Sequence, residues 1–218
     1  WIAVNPRTRD VYCTLTNNSR RGAPGRPDVD AANPRANNTM GHIIRWTENE
    51  DFDATTFSWR HLLLAGDPDN ERPEARGNIR GDSFACPDGL ALDPRGVLWI
   101  QTDVTSDEKG RGEFQGLGNN QMLACDPATG EVRRFLTGPV GCEITGLTLT
   151  PDGGTMFVNI QHPGEPLTPR EDNLELPNLH TNPADPRKYS NWPDFRPDGR
   201  PRSATVAIRK LDGGPIGT

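Results

Sequence analysis

Two short acidic motifs could carry chemistry in this sequence: Cys86-Pro87-Asp88-Gly89 and Cys142-Glu143-Ile144-Thr145-Gly146. Each runs directly into an apolar stretch with the alternation of a β-strand. Residues two apart on a strand share a face. Aligned on the strands that follow, Asp88 matches Thr145 and Cys86 matches Glu143, so all four side chains are expected on one side. Carboxylates gathered there would bind a hard cation such as calcium through oxygen. A structural reading stands beside this one. Asp before Gly commonly caps a turn, and Glu143 could be a solvated surface group.

The ends of the second strands of three repeated units add weaker candidates: Thr16-Asn17-Asn18, Thr102-Asp103 and Asn159-Ile160-Gln161-His162. Asn17 and Asp103 could supply further oxygen ligands to a metal, or be the ordinary polarity of a loop start. His162 is open to a ligand or catalytic role. His42 opens a strand and is expected to be structural, and His61 and His180 have no supporting neighbours. No GxSxG elbow, phosphate-binding loop or HExxH helix occurs, so the sequence assigns no nucleophile. The four cysteines contain no CxxC pair, which argues against a zinc knuckle. Cys13 and Cys125 lie in strand runs as buried thiols, and a Cys86–Cys142 disulfide is left open. Asn17 and Asn37 each begin a glycosylation sequon, a pattern short enough to arise by chance.

What must position these residues is an internal repeat. Segments 2–15, 90–102 and 147–160 align as a short apolar strand, a Pro-centred turn and a second strand with an aromatic at one point: Tyr12, Trp99 and Phe157. Proline presets φ for the first central turn position, and Gly96 and Gly153 can take the positive φ that returns the chain. A second pair of strands follows each unit: His42–Trp46 with Thr56–Leu62, and Met122–Cys125 with Glu131–Phe135. After the third unit Ala204–Lys210 alone is clear. Repeated four-stranded units predict an all-β fold, a β-propeller represented by about three blades. A β-sandwich is the competing fold. Three blades do not normally close a ring, so the chain is expected to be part of a larger domain, its sheet faces exposed when alone. Its opening at Trp1-Ile2-Ala3-Val4, in mid-strand and without Met, carries the same expectation. The stretch 162–202 holds nine of the 21 prolines and no strand pattern, and is expected to be a long loop between the second and third strands of the last blade.

Composition sets outer limits. The chain has 218 residues, 33% hydrophobic, with 23 glycines. That balance favours turns and loops over helices. The 30 acidic and 24 basic residues give a net charge of −6, so no basic excess is available to neutralise a nucleic-acid backbone. The mild acidic surplus suits cation binding as well as plain solubility. No apolar run approaches the roughly 20 residues that span a bilayer.

In its longer motifs the chain resembles the C-terminal part of PhoX-type alkaline phosphatases. The matching stretches include 11–18, 33–38, 41–46, 86–90, 98–103, 118–123, 134–139, 142–146, 155–165, 202–206 and 213–217. They cover most of the chain outside the proline-rich loop, and together they are specific. The resemblance implies a six-bladed propeller, exported to the bacterial periplasm or secreted, and a monomer when full length. It further implies hydrolysis of small phosphate monoesters with calcium (Ca2+) and iron (Fe3+) at one end of the channel. It carries over Asp88 and Glu143 as metal ligands, with Asp103 and Asn17 as weaker ones. In the family a cysteine iron ligand, several acidic ligands and an Arg-Pro-Glu stretch come from positions ahead of the part that this chain resembles. The 218 residues alone are therefore expected to be inactive. Two other functions compete on the same fold: a calcium-dependent lactonase or esterase, and a non-enzymatic propeller that binds a partner on its rim.

Overall fold

Period-two alternation produces twelve β-strands among the described residues, interrupted by two single-turn 3-10 segments at Pro73–Ala75 and Gly112–Phe114. The computed structural model describes residues 1–51, 53–105, 108–165 and 185–217. No helix among them is long and apolar enough to cross a membrane. The chain forms two compact units, residues 1–101 with 123–134 and residues 102–122 with 135–218.

The first sheet is an antiparallel meander of β1 (Ile2–Val4), β2 (Asp10–Leu15), β3 (His42–Glu48) and β4 (Phe57–Leu64). The Pro-centred turn closes as predicted, except that Arg9 takes the left-handed position, at φ 64°, that glycine holds in the other units. Asp10, Tyr12 and Thr14 alternate inward along β2. On the opposite face, register rows join Ile2, Cys13, Ile44 and His61, and then Val4, Val11, Trp46 and Trp59.

The second sheet has the order β5-β9-β8-β7-β6, from β5 (Arg80–Gly81), β6 (Pro87–Leu92), β7 (Leu98–Thr102), β8 (Gln121–Cys125) and β9 (Glu131–Thr137). Strands β6 to β9 are the four expected from the repeat. The short β5 adds to the edge in parallel with β9, and the repeat gives no sign of it. Trp99 is 1% exposed, within a strand buried along its whole length.

The third sheet has the order β10-β11-β12, with β10 (Glu143–Leu149), β11 (Met156–Gln161) and β12 (Ala204–Ile208). Its loop from β11 to β12 lies where the proline-rich segment is expected. The described parts of that loop, 162–165 and 185–203, hold no strand, and 166–184, including His180, fall outside the described residues. The aromatic equivalence within the repeat does not extend to this sheet. Met156, Val158 and Ile160 take the inward slots of β11, which turns Phe157 outward at 37% exposure. Period-two geometry forces that choice: one residue of offset sends a side chain to the other face.

Candidate functional site

In the first unit, the chain enters β6 through Cys86, whose φ of 50° is uncommon for a residue other than glycine. The turn is tied down: the Cys86 amide donates to Met40 O at 2.7 Å, and its thiol lies 3.4 Å from Thr39 O. Asn17, just past β2, donates through Nδ2 to Cys86 Sγ at 3.5 Å. Asp88 follows on β6. Its backbone oxygen accepts from Thr14 Oγ1 at 2.8 Å, and its carboxylate Oδ1 accepts a long 3.5 Å contact from Thr16 Oγ1. Asp88 Oδ2 accepts no hydrogen bond among the described residues. Gly89 follows, packed against the Gln101 side chain: a Cβ there would stand 2.1 Å from Gln101 Oε1, which would have to move aside.

Two other acidic side chains of this unit show what a structural carboxylate looks like. Asp10, 2% exposed, accepts from Thr8 Oγ1 and Thr47 Oγ1 at 2.5 Å each and from Arg45 Nη2 at 2.7 Å. Burial pushes its pKa up, and the hydrogen bonds from Thr47, Thr8 and Arg45 more than reverse this, holding the carboxyl below its ordinary range. Asp93, 6% exposed, accepts from the Arg95 and Val97 amides and from Arg95 Nη2. Both of these carboxylates are saturated; that of Asp88 is not.

In the second unit, Glu143 opens β10 and is 9% exposed. Its strand partner is Gln161 at the end of β11. Gln161 Nε2 donates to Glu143 Oε2 at 2.8 Å, and His162 Nε2 lies 3.6 Å from the same oxygen. The other ring nitrogen of His162, Nδ1, faces Gly141 O at 3.3 Å and Glu165 Oε2 at 3.6 Å. The hydrogen bond to Glu143 raises the His162 pKa, burial opposes it, and the charge of Glu165 adds to the rise. His162 holds a φ of 37° to reach this place. Glu143 Oε1 accepts no hydrogen bond among the described residues. A β-bulge between Thr145 and Leu147 lies just beyond, with Gly146 at φ 61° as its extra residue. Bulges next to a site re-aim the side chains around them.

The backbone before Glu143 is pinned by buried donors. Lys109 Nζ and Asn120 Nδ2 both donate to Cys142 O, at 2.9 and 3.0 Å. Asn120 also bonds to Val104 N, Val104 O and Thr102 Oγ1. Burial lowers the Lys109 pKa, while Glu165, Asp103 and Glu143 among the nearby groups pull it back. Burial pushes the Cys142 thiol up to about 12, so it is not a thiolate nucleophile at neutral pH.

The sequence candidates thus fall into two groups. In the first unit Asn17 and Asp88 share the Cys86 turn, Asn17 exposed and Asp88 half-buried. In the second, Glu143 meets Gln161 and His162, while Asp103 stands half-buried past β7 and contributes to the field at Lys109. Asn159 is committed elsewhere, accepting from Thr205 Oγ1 at 2.7 Å. The open disulfide is decided negatively: Cys86 and Cys142 are both thiols. Sequence reading passes over Lys109, Asn120 and Glu165, which lie in irregular segments where no periodicity marks them. Among the described residues, no group of three or more His, Cys, Asp and Glu gathers as a cation would need. The carboxylates nevertheless fit a hard cation by donor chemistry, each keeping one oxygen outside the protein's own hydrogen bonds.

The sequence profile of the family described as Alkaline phosphatase PhoX matches residues 1–164. A solved structure, "Pseudomonas fluorescens PhoX in complex with vanadate, a transition state analogue", is similar at a TM-score of 0.83 and 43% sequence identity. The likeness covers 100% of this chain and 34% of that one, so the chain spans about a third of that protein's length. No curated protein sequence matches the chain. The structural likeness bears out the all-β, propeller-type reading of the fold over the sandwich.

Proposed function

Because the chain belongs to the PhoX alkaline phosphatase family, we propose that its parent protein is a metal-dependent phosphomonoesterase, in which these 218 residues form part of a single propeller domain. The observation that carries this is the likeness, over the whole chain at 43% identity, to a protein solved with vanadate, a transition-state analogue. Vanadate takes the five-coordinate geometry of a phosphoryl group in flight, so a site that holds it is built for phosphoryl transfer. The substrates are small phosphate monoesters, and no nucleic acid is needed as a partner.

Asp88 and Glu143 act as metal ligands through the oxygens that the protein leaves open, and Asp103 and Asn17 are the secondary candidates. Calcium suits such oxygen donors, and iron is the second metal of this reading. When bound, such ions polarise phosphoryl oxygens and offset the charge of the transferring group. The protein's own part is to fix the ligands. The Cys86 turn, held by Met40 and Thr39, places Asp88 on β6. Lys109 and Asn120 fix the carbonyl that precedes Glu143. The parent protein is further proposed to be periplasmic or secreted, and a monomer. The family resemblance supports both of these assignments.

The test is hydrolysis of p-nitrophenyl phosphate by the natural full-length protein, with and without a chelator. Chelation is expected to abolish turnover, and Asp88→Ala or Glu143→Ala to lower kcat by about 100-fold or more. The separate 218-residue chain is expected to be inactive, because the family resemblance places further metal ligands outside it. Turnover that survives both the chelator and the two substitutions would sink the proposal. Preference for lactones over phosphate monoesters would instead mark a lactonase.

A further inference from the structure

We infer that Gln161 and His162 are positioning residues that hold Glu143 by Oε2 alone and so present Oε1 to a cation. This rests on the reading of Glu143 as a metal ligand and adds to it the means by which the ligand is aimed.

Glu143 and Gln161 are directly opposed across the β10–β11 ladder, where side chains stand about 4.5–5.5 Å apart at Cβ. The amide reaches the carboxylate at 2.8 Å, a charge-assisted bond stronger than a neutral one. His162 approaches the same oxygen, at 3.6 Å, from the residue after β11. One hydrogen bond from Gln161 and the nearby His162 ring thus both address Oε2. Nothing among the described residues hydrogen-bonds to Oε1, although Glu143 is only 9% exposed. The His162 ring is itself braced on its far side by Gly141 O and Glu165, and the residue accepts a left-handed φ of 37° to stand there. Such strain persists where the surroundings over-determine a position, and it gathers at functional sites. Outer partners that orient a ligating group typically govern metal affinity by 10- to 100-fold.

The test titrates calcium into the metal-stripped, natural full-length protein and its variants by calorimetry. Gln161→Met removes the donor at constant length. His162→Asn removes the ring while keeping a residue that tolerates positive φ. Each is expected to weaken calcium binding about 10- to 100-fold while the metal-free unfolding midpoint stays within about 2 °C of the parent. In the calcium-loaded infrared difference spectrum, the band lost in Glu143→Gln is expected to report one-oxygen coordination, and Gln161→Met to shift it towards two-oxygen coordination. If Glu143→Gln weakens calcium binding and Gln161→Met does not, the positioning role is overturned while the metal reading stands. If Glu143→Gln binds as the parent does, both fall. Weaker binding that comes with an equal fall in the metal-free midpoint would show Gln161 to be structural and would overturn the inference as well.

Discussion

A carboxylate in a folded chain is either committed to its neighbours or kept available, and this chain contains both kinds. Asp10 is enclosed by Thr8, Arg45 and Thr47; removing it strands a half-buried guanidinium and two hydroxyls. Asp88 accepts one long contact, and Glu143 leaves Oε1 open. Asp10→Ala is therefore expected to destabilise the fold by about 2–4 kcal/mol. Asp88→Ala is expected to cost less than about 1 kcal/mol of metal-free stability, since few interactions are lost. Chemical denaturation of the metal-free proteins checks the pair. If Asp88→Ala proves as costly as Asp10→Ala, Asp88 is a structural residue and its assignment as a ligand fails.

At the scale of elements, the sheets depend on polar clasps that tie loops to strands. Arg35, 6% exposed, donates to Ala65 O at 2.8 Å and to Gly41 O, closing the loop that precedes β3. His42, fully buried at the start of β3, lies 3.1 Å from Asn38 through Nδ1 and 2.8 Å from Ala32 O through Nε2. The carbonyl requires a proton on Nε2, so Nδ1 accepts from the Asn38 amide and the ring is neutral. Burial lowers its pKa to about 4 from the ordinary 6.5. The unfolded chain binds the proton more readily, so stability is fully present above about pH 6.5 and declines as pH falls towards 4. The loss amounts to about 3 kcal/mol. Denaturant titrations across that range are expected to show the decline, and His42→Gln to flatten it. A parent protein with no slope between pH 6.5 and 4 would refute the assignment of a neutral, clasping His42.

At the scale of the molecule, one sheet face decides how the isolated chain behaves. On the outward face of the first sheet, Ile2, Val4, Phe57 and Trp59 are 62%, 50%, 53% and 40% exposed. Ile2 shares a register row with Ile44, Val4 and Trp59 share one with Val11 and Trp46, and the Phe57 ring lies 6.2 Å from that of Trp46. A contiguous apolar surface of this kind is an interaction or aggregation site. The separate 218-residue chain is expected to bind a hydrophobic dye and to self-associate at micromolar concentration. Ile2→Lys with Trp59→Lys should relieve both effects. A monomeric, dye-silent parent chain at that concentration would count against the exposure of this face.

Much of this was legible in the residues themselves. Strand positions follow from period-two alternation, and the Pro-centred turns fix where each strand returns, because these are local properties of the backbone. Asp88 and Glu143 could be singled out because each stands just ahead of an apolar strand. Which oxygen of Glu143 is held was not legible. That depends on the register of β10 against β11 and on the bulge at Gly146, and a slip of one residue would turn Gln161 to the other face. Lys109 and Asn120 were likewise invisible: they are separated in sequence from Cys142 and meet its carbonyl only once the backbone has folded. Phe157 marks the same divide, an aromatic at its repeat position turned outward by its neighbours on β11. Sequence by itself determined the strands, their turns and the acidic residues at their entrances. Tertiary structure decided which donors those residues meet, because a hydrogen bond across a sheet depends on register, and register is set by the packing of the whole ladder.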